Sequence, residues 1–154
     1  MLQLLEPNSP ELWLEARRLV QEYAASLNFD LCFQDFEREL ESLSSEYGPP
    51  AGHFLLAKWS GAFAGCGGLR PFADTACEMK RLYVAPSYRG KGIGQAVAKA
   101  LIARARQLAY TTMLLDTLPS MAAAQHIYFG LGFMPTSSYR HNPVPEATFL
   151  KLQL

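Results

Sequence analysis

An α/β domain built on one mixed sheet flanked by helices is the fold class this sequence predicts, and three observations carry the prediction. Apolar residues recur at helical spacing in two long stretches, near residues 10–25 and 91–109, and short apolar or β-branched runs bounded by Gly, Pro and Ser stand between and after them. Ser60-Gly61 separates two of those runs by two residues, the signal of a tight antiparallel hairpin. A length of 154 residues holds one domain, 1–154, and no second module, while 49% hydrophobic against 18% charged residues provides a core and rules out global disorder.

The elements follow in order. Residues 1–6 read as a short strand ended by Pro7, and Ser9-Pro10 as the cap and first turn of a helix to about Ala25, with Leu12, Ala16, Leu19, Val20 and Tyr23 on one face. Phe33, Phe36, Leu40 and Leu43 predict a second helix, which Gly48-Pro49-Pro50 ends. Strands are expected at His53 to Trp59, Ala62 to Leu69 and Cys77 to Val84, then a helix from Lys91 to Ala109 along Ile93, Val97, Leu101, Ile102, Ala105 and Leu108. Thr111 to Leu115 reads as a buried strand, Pro119 to Leu131 as a helix stopped by Gly132-Phe133, and Phe133 to Ser137 and Glu146 to Leu152 as closing strands around a Pro-punctuated loop.

Charge excludes one class of function and suggests a division of labour. Fourteen Lys plus Arg balance fourteen Asp plus Glu, so no domain-wide basic footprint exists for nucleic acid. Residues 1–48 hold ten acidic and three basic side chains, a net of −7, and the rest holds four acidic and eleven basic, a net of +7. The two parts are expected to face partners of opposite charge, or to be solvated surfaces with no partner. Cys32, Cys66 and Cys77 have neither a framework spacing nor ligand spacing to histidine, so neither disulfides nor a metal site is expected. The first residues lack a signal-peptide pattern and the uncharged stretch 117–139 is broken by Pro and Gly, so a cytoplasmic protein without a membrane span is expected.

The segment between Val84 and the Lys91 helix carries the chemistry: Ala85-Pro86-Ser87-Tyr88-Arg89-Gly90-Lys91-Gly92-Ile93-Gly94. Glycines let a backbone approach a ligand closely, and a helix N-terminus turns unpaired N–H groups and a positive dipole end toward it, so this is an anion site suited to a pyrophosphate. A P-loop fails, because no Lys-Ser or Lys-Thr follows the glycines, and a dinucleotide fingerprint fails because Gln95 and Val97 stand where its third glycine belongs. Arg89-x-x-Gly92-x-Gly94 is intact.

With Glu78-Met-Lys-Arg-Leu82-Tyr83-Val84-Ala-Pro86 before it and Ala124-Gln-His-Ile-Tyr128-Phe-Gly-Leu-Gly132-Phe133 after it, this pattern resembles the GCN5-related N-acetyltransferase (GNAT) superfamily. The resemblance implies the acyl-CoA N-acyltransferase fold, with a splayed sheet, and acetyl-CoA as co-substrate without a metal. It implies that backbone groups at Leu82 and Val84, with Tyr83 between them, hold the pantetheine arm and polarise the thioester. It implies further that the amides of Arg89, Gly90, Lys91, Gly92, Ile93 and Gly94 hold the pyrophosphate, and that Tyr128 protonates the departing thiolate. Met121 departs from the family pattern, which often has asparagine there, and Ser120 or Thr117 are the expected substitutes.

Other side chains have two readings each. Glu78, a carboxylate on a mostly apolar strand, is expected as general base, or else as an ion-pair partner of Lys80 or Arg70. Phe29, Phe33 and Phe36 line an acceptor pocket or belong to the core, and Tyr139 contributes to the same pocket. Cys66 and Cys77 read as core residues and His126 as a packing or surface residue, while His141 has a substrate contact as its functional reading. The expected function is direct acetyl transfer to a primary amine of a small molecule or a protein, cationic if the acidic first segment faces it, with a homodimer left open. Two other readings remain: a non-catalytic acyl-CoA sensor, and a nucleotide-dependent oxidoreductase.

Overall fold

In a computed structural model, which describes residues 1–27, 35–142, 144 and 146–154, the elements are β1 (Leu2–Leu5), α1 (Pro10–Ala25), α2 (Phe36–Glu41), α3 (Leu43–Tyr47), β2 (His53–Trp59), β3 (Ala62–Ala73) and β4 (Ala76–Val84). A short 3-10 turn (Pro86–Tyr88), α4 (Ile93–Gln107), β5 (Thr112–Thr117), α5 (Ala122–Gly130), β6 (Met134–Thr136) and β7 (Thr148–Gln153) follow. The expected boundaries are met within a few residues, with three instructive differences. The second helix is two short ones, because Ser42 returns its hydroxyl to the Arg38 carbonyl at 2.8 Å and interrupts the ladder. Helix α5 starts three residues after Pro119, since Leu118 to Met121 close a turn first, with the Met121 N–H on the Leu118 carbonyl at 2.9 Å. Strand β3 runs on past Leu69 to Ala73, where Pro71 is accommodated beside a register irregularity.

Local chemistry explains the main elements. Ser9 Oγ accepts from the Leu12 N–H at 3.3 Å and Pro10 stands in the first turn of α1, so the helix starts where its cap allows. Ser60 and Gly61 both have positive φ, +49° and +88°, as the two-residue hairpin between β2 and β3 requires. Along β2 the side chains alternate: Leu55 and Ala57 join a core under α4 and α5, whereas Phe54 and Leu56 join a second core under α1, α2 and α3. Each buried Leu or Phe contributes about 1.5–3 kcal/mol to holding the layers together.

The sheet order is β1-β2-β3-β4-β5-β7-β6, antiparallel except between β4 and β5. Those two strands pair at Ala76↔Thr112, Cys77↔Met113 and Glu78↔Leu114 and then part, although β5 stays paired with β7 as far as Thr117↔Thr148. A bulge accompanies the parting: Cys66 pairs with Tyr83 and Gly68 with Lys80, so Arg81 and Leu82 share the single position opposite Gly67. Arg81 takes φ +61° to make the bulge. The expected splay is present, and it creates the site. No helix of the described residues is long and apolar enough to cross a membrane.

Candidate active site

A cleft of about 690 Å³ opens where β4 and β5 separate. Its walls come from β4 after Met79, the glycine loop with the start of α4, the segment from Asp116 into α5, and the end of α1 at Tyr23, Ser26 and Leu27. Leu82, Tyr83, Val84, Arg89, Gly90, Gly92, Ile93, Gly94 and Tyr128 all line it, so most of the expected cofactor residues come together.

Arg89 Nε donates to the Val84 carbonyl at 2.9 Å and so ties the glycine loop to the end of β4. Gly92 caps α4 with φ +77°, which leaves the first N–H groups of the helix without helical partners. Gly94 allows close packing, because a Cβ there would lie 3.1 Å from Ile127 Cδ1. These features suit a phosphate-bearing ligand approached by backbone. The Lys91 side chain does not line the cleft; its ammonium lies 5.3 Å over the Trp59 ring.

Two hydrogen bonds fix the direction of the β4 amides. The Ala85 N–H donates to Ala64 in β3 at 2.8 Å, so strand alternation turns the Val84 N–H away from β3. Cys66 Sγ donates to the Arg81 carbonyl at 3.4 Å, and across a trans peptide the Leu82 N–H therefore points away from that sulfur. Both amides belong to lining residues of the opening. Tyr128 faces the same space, its ring 5.7 Å from Phe133, and burial, with smaller effects of Tyr23 and Asp116, raises its pKa so that the phenol stays protonated.

Glu78 is placed differently from a free base. Its fully buried side chain is absent from the cleft wall; Tyr139 donates to Oε2 at 2.7 Å, while Arg140 and Arg70 donate to Oε1 at 2.8 and 3.3 Å. This is the ion-pair arrangement with Arg70, extended by two residues of the last loop. Tyr139 is likewise outside the cleft wall, its ring packed at 5.1 Å from Phe72 and 5.4 Å from Phe149. Phe29 and Phe33 lie outside the described residues. His126 and His141 are exposed and do not line the cleft. Cys66 and Cys77 are buried thiols; burial pushes the Cys66 pKa well up and that of Cys77 up to about 12, so neither is a nucleophile near neutral pH.

Several residues that the sequence reading gave no catalytic place stand in or behind the wall. Lys80 Nζ lies 3.5 Å from Asp116 Oδ1 and 3.9 Å from Glu78 Oε2, and burial, with the charge of Arg81, pushes its pKa down to about 8. Asp116 also accepts from Asn142 Nδ2 at 3.1 Å, and all three line the cleft. Arg81 donates from Nε and Nη2 to Glu39 Oε2 and Oε1 at 2.7 and 2.9 Å. Burial works to raise the Glu39 pKa, but Arg81, helped by Arg70 and Lys80, holds it below the ordinary range. The signal in the sequence was Glu78-x-Lys80-Arg81, three charges inside one strand. Thr117, Ser120 and Met121 line the cleft together, so both expected substitutes for the family asparagine are at hand.

Among the described residues the first segment contributes Tyr23, Ser26 and Leu27 to the cleft and none of its acidic side chains, while Asp30 lies outside the described residues. Glu15 and Glu22 pair with Arg18, Glu46 with Arg70 and Glu39 with Arg81, while Glu6 Oε1 lies 2.8 Å from Nδ1 of His53, whose pKa burial pushes down. The described wall instead carries Lys80, Arg81 and Arg89 against Asp116. Electrostatic attraction of a cationic acceptor by that segment therefore has no support from this wall.

A sheet opened between its parallel strands, with a glycine loop and a helix N-terminus at one end, defines the acyl-CoA transferase class of fold. The model of the Acetyltransferase (GNAT) family matches residues 12–133. An uncharacterized N-acetyltransferase of Schizosaccharomyces pombe is 39% identical over 140 residues, 90% of this chain and 86% of the relative. The uncharacterized N-acetyltransferase YjgM of Escherichia coli is 26% identical over 86% of this chain and 80% of its own. Among solved structures, a GNAT acetyltransferase from Staphylococcus aureus superposes with a TM-score of 0.80 at 19% identity, covering 99% of both chains. The structure of yncA from Salmonella typhimurium with its cofactor acetyl-CoA gives 0.71 at 17% identity, covering 99% of this chain and 93% of that one. The chain belongs to the GNAT family of acetyltransferases.

Proposed function

We propose that the protein binds acetyl-CoA in the cleft and passes the acetyl group directly to a primary amine of a small molecule or a protein. The observation that supports the reading is that Leu82 and Val84 of β4, the latter with its N–H turned away from β3, line the space between parted strands with the glycine loop at one end. Acetyl-CoA supplies an activated thioester and a thiolate as leaving group. The loop from Arg89 to Gly94 and the start of α4 would hold its phosphates through backbone N–H groups. The β4 amides are aimed where negative charge develops on a carbonyl oxygen, the position at which preformed donors are worth most. Tyr128, kept protonated by burial, is an acid for the thiolate.

The amine's proton needs an acceptor in the wall, and Asp116 is the carboxylate among the described lining residues. We assign it the receiving role expected of Glu78, with Lys80 and Asn142 holding its two oxygens. A panel of amines incubated with acetyl-CoA tests the reading, with free thiol measured by colour and the acetylated product by mass. Thiol release matched by N-acetylated product is expected. Tight acetyl-CoA binding without product from any amine would leave the non-catalytic sensor in its place.

A further inference from the structure

Arg81 combines two features that strand packing does not require. Its φ of +61° lies in the left-handed region, an uncommon place for a residue with a long side chain. Its guanidinium, buried between the Phe36 and Tyr23 rings at 5.3 and 6.0 Å, makes a two-point pair with Glu39 of α2. Glu39 is held in turn, by the Tyr47 hydroxyl at 3.1 Å and by Arg70 at 3.3 Å, so it cannot swing away without stranding three donor groups in the interior. The carbonyl of Arg81 is held as well, by Cys66. Both ends of the strained residue are therefore fixed, and the next backbone donor along the chain is the Leu82 N–H.

We propose that Arg81, locked by Glu39, is a positioning residue whose strained backbone aims the Leu82 N–H at the thioester oxygen. The proposal rests on the acetyl-CoA reading above and adds a cause for its geometry. A bidentate guanidinium pair fixes direction as well as distance, which a lysine at the same place could not do. Strain of this kind persists only where surrounding contacts over-determine it, and the Glu39 cluster supplies those contacts.

The test reads the bound carbonyl itself, without an acceptor. Acetyl-CoA labelled with 13C at the carbonyl is bound to the native protein, and the infrared carbonyl band is expected below its free position. In Glu39→Met/Arg81→Ala both charges leave together; the band should lose at least half of its shift while the acetyl-CoA Kd stays within about threefold. Glu39→Met/Arg81→Gly leaves a similar cavity but adopts positive φ without steric cost, so it should retain more of the shift than the alanine variant. An alanine variant with the full native shift, or equal losses in the two, overturns the positioning role. Should the double variants not fold, Glu39→Gln keeps one acceptor of the lock and should give an intermediate band, and an unchanged band there overturns the role. Failure of the native protein to bind acetyl-CoA overturns the function reading itself, and this proposal with it.

Discussion

Tyr139 donates its hydroxyl to Glu78 at 2.7 Å, and this contact joins the last loop of the chain to the middle strand of the sheet. With Arg140 and Arg70 on the other oxygen, the Glu78 carboxylate is satisfied inside the protein and has no face toward the cleft wall. A buried carboxylate so surrounded acts first on folding, because removing its charge leaves buried cations uncompensated.

Glu78→Gln should therefore destabilise the protein by about 3–5 kcal/mol, the usual range for breaking a buried pair from one side. Urea unfolding measures that loss, and kcat per folded molecule should change little. A stable variant with a collapsed kcat would return Glu78 to the role of base.

The phosphate end is tested by glycine. Gly94→Asp places a Cβ 3.1 Å from Ile127 and a negative charge at the helix start, and Gly92→Val puts a β-branched residue at φ +77°. Calorimetric titration should show acetyl-CoA affinity abolished in both, with circular dichroism near native. Unchanged affinity in both would remove the loop from the cofactor site.

Much of the fold was legible because its causes are local. The Ser9 cap, the Ser60-Gly61 turn and the apolar period of α4 each act over a few residues, and each element stands close to where those residues put it. The glycine loop was legible for the same reason. The charge cluster was not, since Glu39 stands 31 and 42 residues before Arg70 and Arg81 and meets them only when α2 packs on the sheet. The same distance hides part of the charge balance: within the −7 of the first 48 residues, Glu39 is buried against Arg81 and Glu46 pairs with Arg70, both arginines of later strands. The partners of Glu78 were not legible either, since Tyr139 and Arg140 stand 61 and 62 residues further along the chain.

Tyr128→Phe removes only a hydroxyl, leaving the ring against Phe133. A thiolate leaves readily without help, so kcat should fall roughly 10- to 100-fold with acetyl-CoA affinity nearly unchanged. Steady-state kinetics with the best amine, beside a binding titration, checks both halves; an equal loss in affinity would make Tyr128 a cofactor contact and not an acid.

The Glu39–Arg81 pair makes a pH-dependent contribution whose sign follows from the shift. Burial opposes ionisation of Glu39, but Arg81, Arg70 and Lys80 prevail and hold its pKa below the ordinary 4.5. Between the folded and unfolded values the unfolded chain binds the extra proton, so stability rises with pH across that window. The contribution is complete above about 4.5 and is lost as pH falls through the lower, folded value. Glu39→Gln lacks the titrating group and strands part of the Arg81 guanidinium, so at pH 7 it should be less stable by about 3–5 kcal/mol. That deficit should narrow as both proteins are unfolded in urea at successively lower pH beneath 4.5, because only the native protein loses the charge on residue 39. A deficit that stays constant to the acid limit would show that Glu39 acts through shape and hydrogen bonding, and that its charge is not what holds Arg81.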